Sequence, residues 1–351
     1  MSIWSRYIAK KLVFEHHPLI DEGGCLNAIQ TRAPCGACRA ACPAGVLDGP
    51  EPNWDACVDC NACAAACPTR CIRPSASLAG RVLEACARLT GPVCISCGAG
   101  EAPADLKLPC LASYPWELLA FLALGGGVTV LPGPCGDCPD RALLATWKDT
   151  LDRLEAFLGP EDHAALVQVA EAGETAPPQR AVSRRDIFSL ALSKSKATLA
   201  ALLPADQDLD PDGSLFRQLL AHRLRQRREA GEAPVLAWTL PAFTDACDAC
   251  AFCVRLCPSG ALKRVEGDGG GRKRWYMALI PWRCTGCGLC AQACPRGGLT
   301  APGPVSLDDP STPRLHAHRA RPCPRCGEPA EGEGLCRRCQ GEARGPMTLE
   351  V

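Results

Sequence analysis

Apolar residues along this chain gather into short runs, and three of those runs end at cysteine: Val93 to Cys97, Leu106 to Cys110, and Val128 to Cys135. Each has the length of a strand. Between the last two, Tyr114 to Leu124 carries a helical pattern closed by Gly125, Gly126 and Gly127, the kind of ending that stops a helix. Strand, helix, strand predicts a parallel crossover with its terminal thiols at the carboxyl edge of the sheet, where α/β folds put their sites. Cys135-Gly136-Asp137-Cys138 then opens a helix expected over Arg141 to Leu158, and Cys86, on a helix between Leu83 and Leu89, reads as core.

The flanks are patterned more weakly. Trp4, Tyr7, Ile8 and Leu12 predict a short amphipathic helix within residues 1–20, expected to dock on the first domain, with membrane contact the lesser alternative. Ser189 to Leu203 is a weak amphipathic helix, Asp206 to Asp212 an acidic linker, and Leu215 to Glu229 a basic helix with Arg217, Arg223, Arg225, Arg227 and Arg228. Such a helix reads first as a solvated face, more sharply as a docking surface for an acidic partner. Leu262 to Val265 and Trp275 to Ile280 form a hairpin around an inserted loop, Gly267 to Lys273, and residues 304–322 read as a proline- and charge-rich linker.

Composition changes this picture. The 351 residues contain 33 Gly, 32 Pro and 5% aromatics, which build poor cores, but 27 Cys; metal clusters are expected to staple the terminal modules. Formal net charge is zero, so there is no global basic field for nucleic acid or anionic lipid. Residues 1–20 lack an uninterrupted apolar segment, so no secretory signal is expected, and Leu118 to Leu124 is too short to span a bilayer. Ser183-Arg184-Arg185-Asp186-Ile187-Phe188 has a twin-arginine look but lies mid-chain and reads as a helix start. A cytoplasmic protein follows.

The cysteine spacings carry the chemistry. Cys247, Cys250, Cys253 and Cys257-Pro258 read C-x2-C-x2-C-x3-C-P, and Cys284, Cys287, Cys290 and Cys294-Pro295 repeat it. Zinc has no use for two such runs, and disulfides would need an oxidising compartment. Cys57, Cys60, Cys63 and Cys67-Pro68 form a third run; a fourth keeps Cys35, Cys38 and Cys42-Pro43 but has Arg32 where its first cysteine should stand. Cys323, Cys326, Cys336 and Cys339 make two C-x2-C knuckles, a tetrathiolate spacing that looks like a minimal zinc ribbon; rubredoxin-type iron would want aromatic packing, and residues 328–335 have none.

Residues 241–302 resemble the two-cluster bacterial ferredoxins, and residues 21–75 resemble them with one departure. The resemblance implies that three thiolates of each run hold one 4Fe–4S cluster while the fourth, before proline, crosses to the other. The ligand sets would be Cys247, Cys250, Cys253 with Cys294; Cys284, Cys287, Cys290 with Cys257; Cys57, Cys60, Cys63 with Cys42; and Cys35, Cys38, Cys67 with a missing fourth. Cys25 is the candidate for that place, the alternatives being a three-iron cluster or Cys71 folding back. The middle stretch resembles the small iron–sulfur adaptor (delta) subunit of methyl-viologen-reducing hydrogenases, implying a 2Fe–2S centre on Cys97, Cys110, Cys135 and Cys138, with Cys94 an alternative to Cys97. Zinc, or four reduced core thiols, is the plainer reading of these four.

The expected architecture is multidomain α+β: two ferredoxin-like two-cluster modules (1–80 and 241–303), a small α/β domain between them (81–180), a helical linker region (181–240), and a linker with a zinc ribbon (304–351). No G-x-G-x-x-G follows a strand and there is no P-loop. Several one-electron stations without a substrate motif describe a wire rather than a catalyst. Its expected partner is a flavoenzyme, a hydrogenase, or a molybdenum or tungsten dehydrogenase. A maturation factor for an apo-oxidoreductase is the alternative, and a nucleic-acid-associated iron–sulfur protein a weaker one.

Overall fold

The computed structural model describes residues 17–29, 35–49, 51–88, 91–171, 214–232, 236–268, 273–307, 309–310, 312–317, 321–323, 325–327, 329–330, 335 and 339. The helices expected at the N-terminus and over Ser189 to Leu203, the acidic linker, Arg32 and Cys336 lie outside them. The chain mixes helix and strand and divides into two compact units, Met1–Ala237 with Ser306–Asp309, and Trp238–Val305 with Pro310–Val351.

The first unit begins with a closed loop. Strand β1 (Leu19–Ile20) pairs antiparallel with β2 (Ile72–Arg73), Ile20 opposite Ile72. Between them lie three short helices, α1 (Leu26–Ile29), α2 (Ala37–Ala40) and α3 (Ala62–Ala66). Ser75 then caps α4 (Ala76–Arg88): its hydroxyl accepts the Leu78 N–H at 3.3 Å, and Asn61 Oδ1 takes the Ser75 N–H at 2.7 Å. The boundary expected at residue 80 falls inside this helix.

A four-stranded sheet follows, β4-β3-β5-β6 in order, with every pairing parallel. Its strands are β3 (Val93–Cys97), β4 (Leu106–Leu108), β5 (Val128–Leu131) and β6 (Val167–Val169). Pro109 and Pro132 end β4 and β5 early, because proline has no N–H for the ladder. Cys110 and Cys135 therefore stand in loops beyond the strands rather than at their ends. Helix α5 (Trp116–Ala123) crosses between β4 and β5; α6 (Leu144–Leu158) and α7 (Pro160–Leu166) lead to β6. Tyr114, fully buried, bonds through its hydroxyl to the carbonyls of Ser96 (3.1 Å) and Leu106 (2.8 Å), fastening the start of α5 to the sheet.

The basic helix α8 (Leu215–Glu229) is not solvated throughout: its N-terminal half is buried and its C-terminal half is partly exposed. Phe216, Leu219, Leu220 and Leu224 are buried, and the helix packs on α5. Arg217 goes with them, whereas Arg223, Arg225 and Arg227 are partly buried and Arg228 is exposed. Arg217 reaches Glu117 at 3.3 Å, Arg223 lies over the Phe121 ring at 4.6 Å, and Arg227 donates to the Leu124 carbonyl at 2.9 Å. Glu117 also receives Arg70 in a two-pronged contact, Nε to Oε1 at 3.1 Å and Nη2 to Oε2 at 2.8 Å. The carboxylate side chain is 1% exposed, against 10% for Arg70 and 5% for Arg217. One buried anion thus joins the cysteine-rich loop, the parallel sheet's crossover helix and α8.

Strand β7 (Leu236–Leu240) leads into the second unit, which opens on the fully buried Trp238. After α9 (Phe252–Leu256), β8 (Leu262–Asp268) and β9 (Lys273–Leu279) form an antiparallel hairpin paired from Leu262–Leu279 to Asp268–Lys273. Gly267, Asp268 and Lys273, at the ends of the loop expected at Gly267 to Lys273, belong to the ladder; residues 269–272 lie outside the described residues. Helix α10 (Leu289–Gln292) follows. Part of the expected linker is strand: β10 (Gly303–Leu307), and β11 (Arg314–Ala317), which pairs antiparallel with β9 and covers that edge. A further two-residue pair, β12 (Arg321–Pro322) and β13 (Pro329–Ala330), brackets Cys323 and Cys326. Among the described residues no helix is long and apolar enough to cross a membrane.

Burial alone would raise the Glu117 carboxyl, but Arg70 and Arg217 outweigh it and hold it below the ordinary carboxylate range. A depressed folded value stabilises above the unfolded value of about 4.3 and is lost as pH falls through the folded one. Glu117→Gln should therefore cost about 3–5 kcal/mol at neutral pH by stranding two buried guanidinium groups. Its urea midpoint, read by tryptophan fluorescence, should also vary less than the wild type's as pH falls below about 4.3.

Candidate metal centres

The second unit builds its two thiol sets from one loop geometry used twice. In each complete run the residues flanking the middle cysteine take positive φ: Ala249 (53°) and Ala251 (59°) around Cys250, Gly286 (71°) and Gly288 (77°) around Cys287. These left-handed steps curl three thiols toward one point, and at alanine they cost of order 1–2 kcal/mol each. The third residue after each Cys-Pro cysteine is also left-handed, Gly260 at 61° and Gly297 at 64°. The resulting turn carries the fourth cysteine of each run to the other set. Cys294 is an electrostatic neighbour of Cys247, Cys250 and Cys253, and Cys257 of Cys287 and Cys290. The bridge Phe243–Leu299 closes the unit's ends, Arg296 pairs with Asp248 at 2.7 Å, and the Gly298 N–H points at Cys294 Sγ, 3.2 Å away.

The first unit repeats the design with two substitutions. Asp59 (51°) and Asn61 (58°) flank Cys60, and Gly45 (62°) and Arg70 (61°) follow their Cys-Pro pairs. Cys42, Cys57 and Cys63 gather around Cys60 beneath an apolar wall that includes Pro18, Val46, Leu47 and Trp54. In the interrupted run, Pro34 stands in the sequence at the first left-handed position, a residue type that cannot take positive φ, and Gly36 has φ −111°. That loop cannot repeat the curl. Cys25 leaves a 3-10 turn (Glu22–Gly24) five residues after the Ile20–Ile72 pair, much as Cys247 follows Phe243 by four. It packs with Cys38, Cys67 and Cys71, and Cys35 adjoins Cys38.

Five thiols therefore meet here, Cys25, Cys35, Cys38, Cys67 and Cys71. Cys71 holds the place that Gly298 holds in the second unit, four residues after the Cys-Pro cysteine. Its Sγ lies 3.5 Å from Cys67 Sγ. A hydrogen bond from Cys71 draws the Cys67 thiol well below its usual range and correspondingly raises Cys71.

The four middle-domain cysteines line one cavity of about 70 Å³. Cys97 supplies the buried wall, and Gly133 keeps space over it: a Cβ there would lie 2.8 Å from Cys97 Sγ. Cys94, on the alternate face of β3, is instead beside Asp105 and Thr129. Cys135 and Cys138 are partly exposed at the mouth, with Asp137 and Gly136 open to solvent. Cys110 faces inward. Burial lifts its thiol to about 11, and its thiol neighbours are Cys97 and Cys60, so this cavity adjoins the thiol set of the preceding loop. Cys86 is buried in α4.

At the C-terminus, Cys323, Cys326 and Cys339 bring their sulfur atoms within 4.8 Å of one another. The Gly327 N–H bonds the Cys323 carbonyl at 2.9 Å. Cys336 lies outside the described residues.

Soft sulfur donors in groups of three to five suit iron–sulfur clusters and zinc; carboxylates nearby include Asp248, beside Cys250, and Asp140, in the lining of the middle cavity. Burial pushes the thiols of Cys63, Cys253 and Cys290 up to about 12, neighbouring thiols adding to it. At neutral pH such groups are protonated without metal, so cluster assembly must displace protons. Sequence reasoning missed the left-handed residues, Gly133, Arg70 and Glu117. Only the repeated Gly and Asn beside the cysteines could have signalled the first group.

Gly298 offers a direct test. A Cβ added there would stand 2.9 Å from the Cys247 backbone, an overpacking worth about 1–3 kcal/mol. Gly298→Ala is expected to retain less iron than the wild type, measured as the iron-to-protein ratio and visible absorbance after anaerobic gel filtration.

Residues 246–297 match the family model of the 4Fe-4S dicluster domain. No curated protein and no solved structure matches the chain. The second unit therefore contains a 4Fe–4S dicluster domain, whose chemistry is iron–sulfur electron transfer.

Proposed function

We propose that the chain is a multi-centre iron–sulfur protein that carries low-potential electrons in the cytoplasm between a redox enzyme and a second partner. The observation that carries this reading is adjacency. The thiol set around Cys60 and the cavity of Cys97, Cys110, Cys135 and Cys138 adjoin within one compact unit, with Cys60 beside Cys110. In this reading Cys25, Cys35, Cys38 and Cys67 hold one 4Fe–4S cluster and Cys42, Cys57, Cys60 and Cys63 a second. Cys247, Cys250, Cys253 and Cys294 hold a third, and Cys257, Cys284, Cys287 and Cys290 a fourth. The middle cavity takes a 2Fe–2S cluster, and Cys323, Cys326, Cys336 and Cys339 take one structural zinc.

Such clusters supply one-electron carriers whose potentials answer to burial and to hydrogen bonds at sulfur. The protein's residues supply the rest. The apolar wall of Pro18, Val46, Leu47 and Trp54 excludes water from the Cys60 set. The partly exposed Cys135 and Cys138 give the middle cavity an open face, where a flavoenzyme, hydrogenase, or molybdenum or tungsten dehydrogenase can approach.

Anaerobically purified protein should contain roughly sixteen irons in cubanes, two more in the middle site, and one zinc, counting by ligand spacing. Cys135→Ala with Cys138→Ala should remove two irons and abolish reduction by an enzymatic donor, while dithionite still reduces the cubanes. Zinc in place of iron throughout the protein would end the electron-transfer reading.

The five-thiol nest generates its own prediction. Cys25→Ser is expected to convert one cubane to a three-iron centre with an altered paramagnetic resonance spectrum. Cys71→Ser should keep the iron and shift only that cluster's potential. The reverse outcome would make Cys71 the fourth ligand.

A further inference from the structure

Ser113 is buried, 2% exposed, and its hydroxyl makes two bonds in opposite directions. It accepts the Cys110 N–H at 3.3 Å and donates to the Cys60 carbonyl at 2.5 Å. The first bond belongs to a reciprocal cap: the Ser113 N–H returns to Cys110 Sγ at the start of the 3-10 turn Leu111–Ser113. A cap needs nothing more. The second bond leaves the turn and ends 53 residues away on the backbone of the neighbouring thiol set.

The hydroxyl is thus the middle of a continuous chain of atoms. From Cys60 Sγ the chain runs through that residue's carbon atoms to its carbonyl, across the serine hydroxyl, and through the Cys110 amide to Cys110 Sγ. Electrons tunnel more readily along covalent and hydrogen-bonded atoms than across a gap. A short bond from a buried, fixed donor keeps the bridge closed. Asp140, a neighbour of both thiols, adds negative charge but no such link.

We infer that Ser113 is the positioning residue that couples the metal centre at Cys60 to the metal centre at Cys110 and sets the rate at which they exchange an electron. This rests on the reading that both thiol sets hold iron. In the exchange, one centre loses one electron and the other gains it. The serine keeps its proton, and no covalent bond forms or breaks.

The experiment uses the full-length protein, anaerobically purified, with iron analysed first. Fast photoreduction by a small external reductant, followed by optical and resonance detection, then reads the redistribution between the two centres. Ser113→Ala is expected to keep all the iron, slow the redistribution several-fold, and narrow the spin–spin broadening between the reduced centres. Ser113→Thr, which keeps the hydroxyl, should restore both. Full iron with an unchanged rate in Ser113→Ala would overturn the inference. So would loss of iron from either centre in that variant, or a rate in Ser113→Thr as slow as in Ser113→Ala; in the iron-loss case the serine is only a cap. Wild-type protein lacking iron at Cys97, Cys110, Cys135 and Cys138 would instead sink the underlying reading.

Discussion

The first unit depends on one buried anion. Glu117 sits on a helix whose other exposed-face candidates are all apolar, and it draws in a guanidinium from each side. Arg70 does more than neutralise it. The same guanidinium donates to the carbonyls of Ala65 and of Cys67 (3.1 Å), at the C-terminal end of α3 and the turn that follows, where unpaired carbonyls gather. A buried ion pair adds little net stability over an apolar substitute, yet it is costly to break. Its value here is positional. It fixes the Cys67 turn, helix α5 and helix α8 against one another, so a segment cut at residues 81 and 180 would leave the carboxylate buried without either cation.

Position matters because the thiol loops have little else to hold them. They consist of single helical turns and left-handed residues, with strands only two residues long closing the N-terminal loop. Left-handed alanine, aspartate and asparagine are strained conformers that persist where surrounding structure over-determines them. Asn61 shows how: its side chain holds Ser75 through both the amide and the hydroxyl, locking the curl at Cys60 to the first turn of α4.

The thiol sets were legible because their spacing is strict, and the parallel sheet because its strands are short apolar runs between glycines and prolines. β6 was not legible: two of its three residues are exposed, so no apolar pattern marks it. Nor was β11, since Arg314-Leu315-His316-Ala317 reads as linker until the open edge of β9 offers a partner. Arginines spaced along α8 look like a solvated face in sequence. Arg217 is instead buried on Glu117, while Phe121 and the Leu124 carbonyl partly cover Arg223 and Arg227, about a hundred residues later in the chain. A missing cysteine drew attention to Cys25, which lies near Cys38, Cys67 and Cys71, whereas the meaning of a proline at the curling position needed the φ angles of the intact loops.

The mouth of the middle cavity has a cost beyond recognition. Cys97 is sealed behind Gly133, but Cys135 and Cys138 stand on an open loop. Dioxygen and peroxide are smaller than any protein partner and can reach sulfur through the same opening, where exposure decides which sulfur atoms are oxidised first. An enzyme bound over that loop would therefore act as a shield as well as a source of electrons, and the protein would be least durable when it is alone.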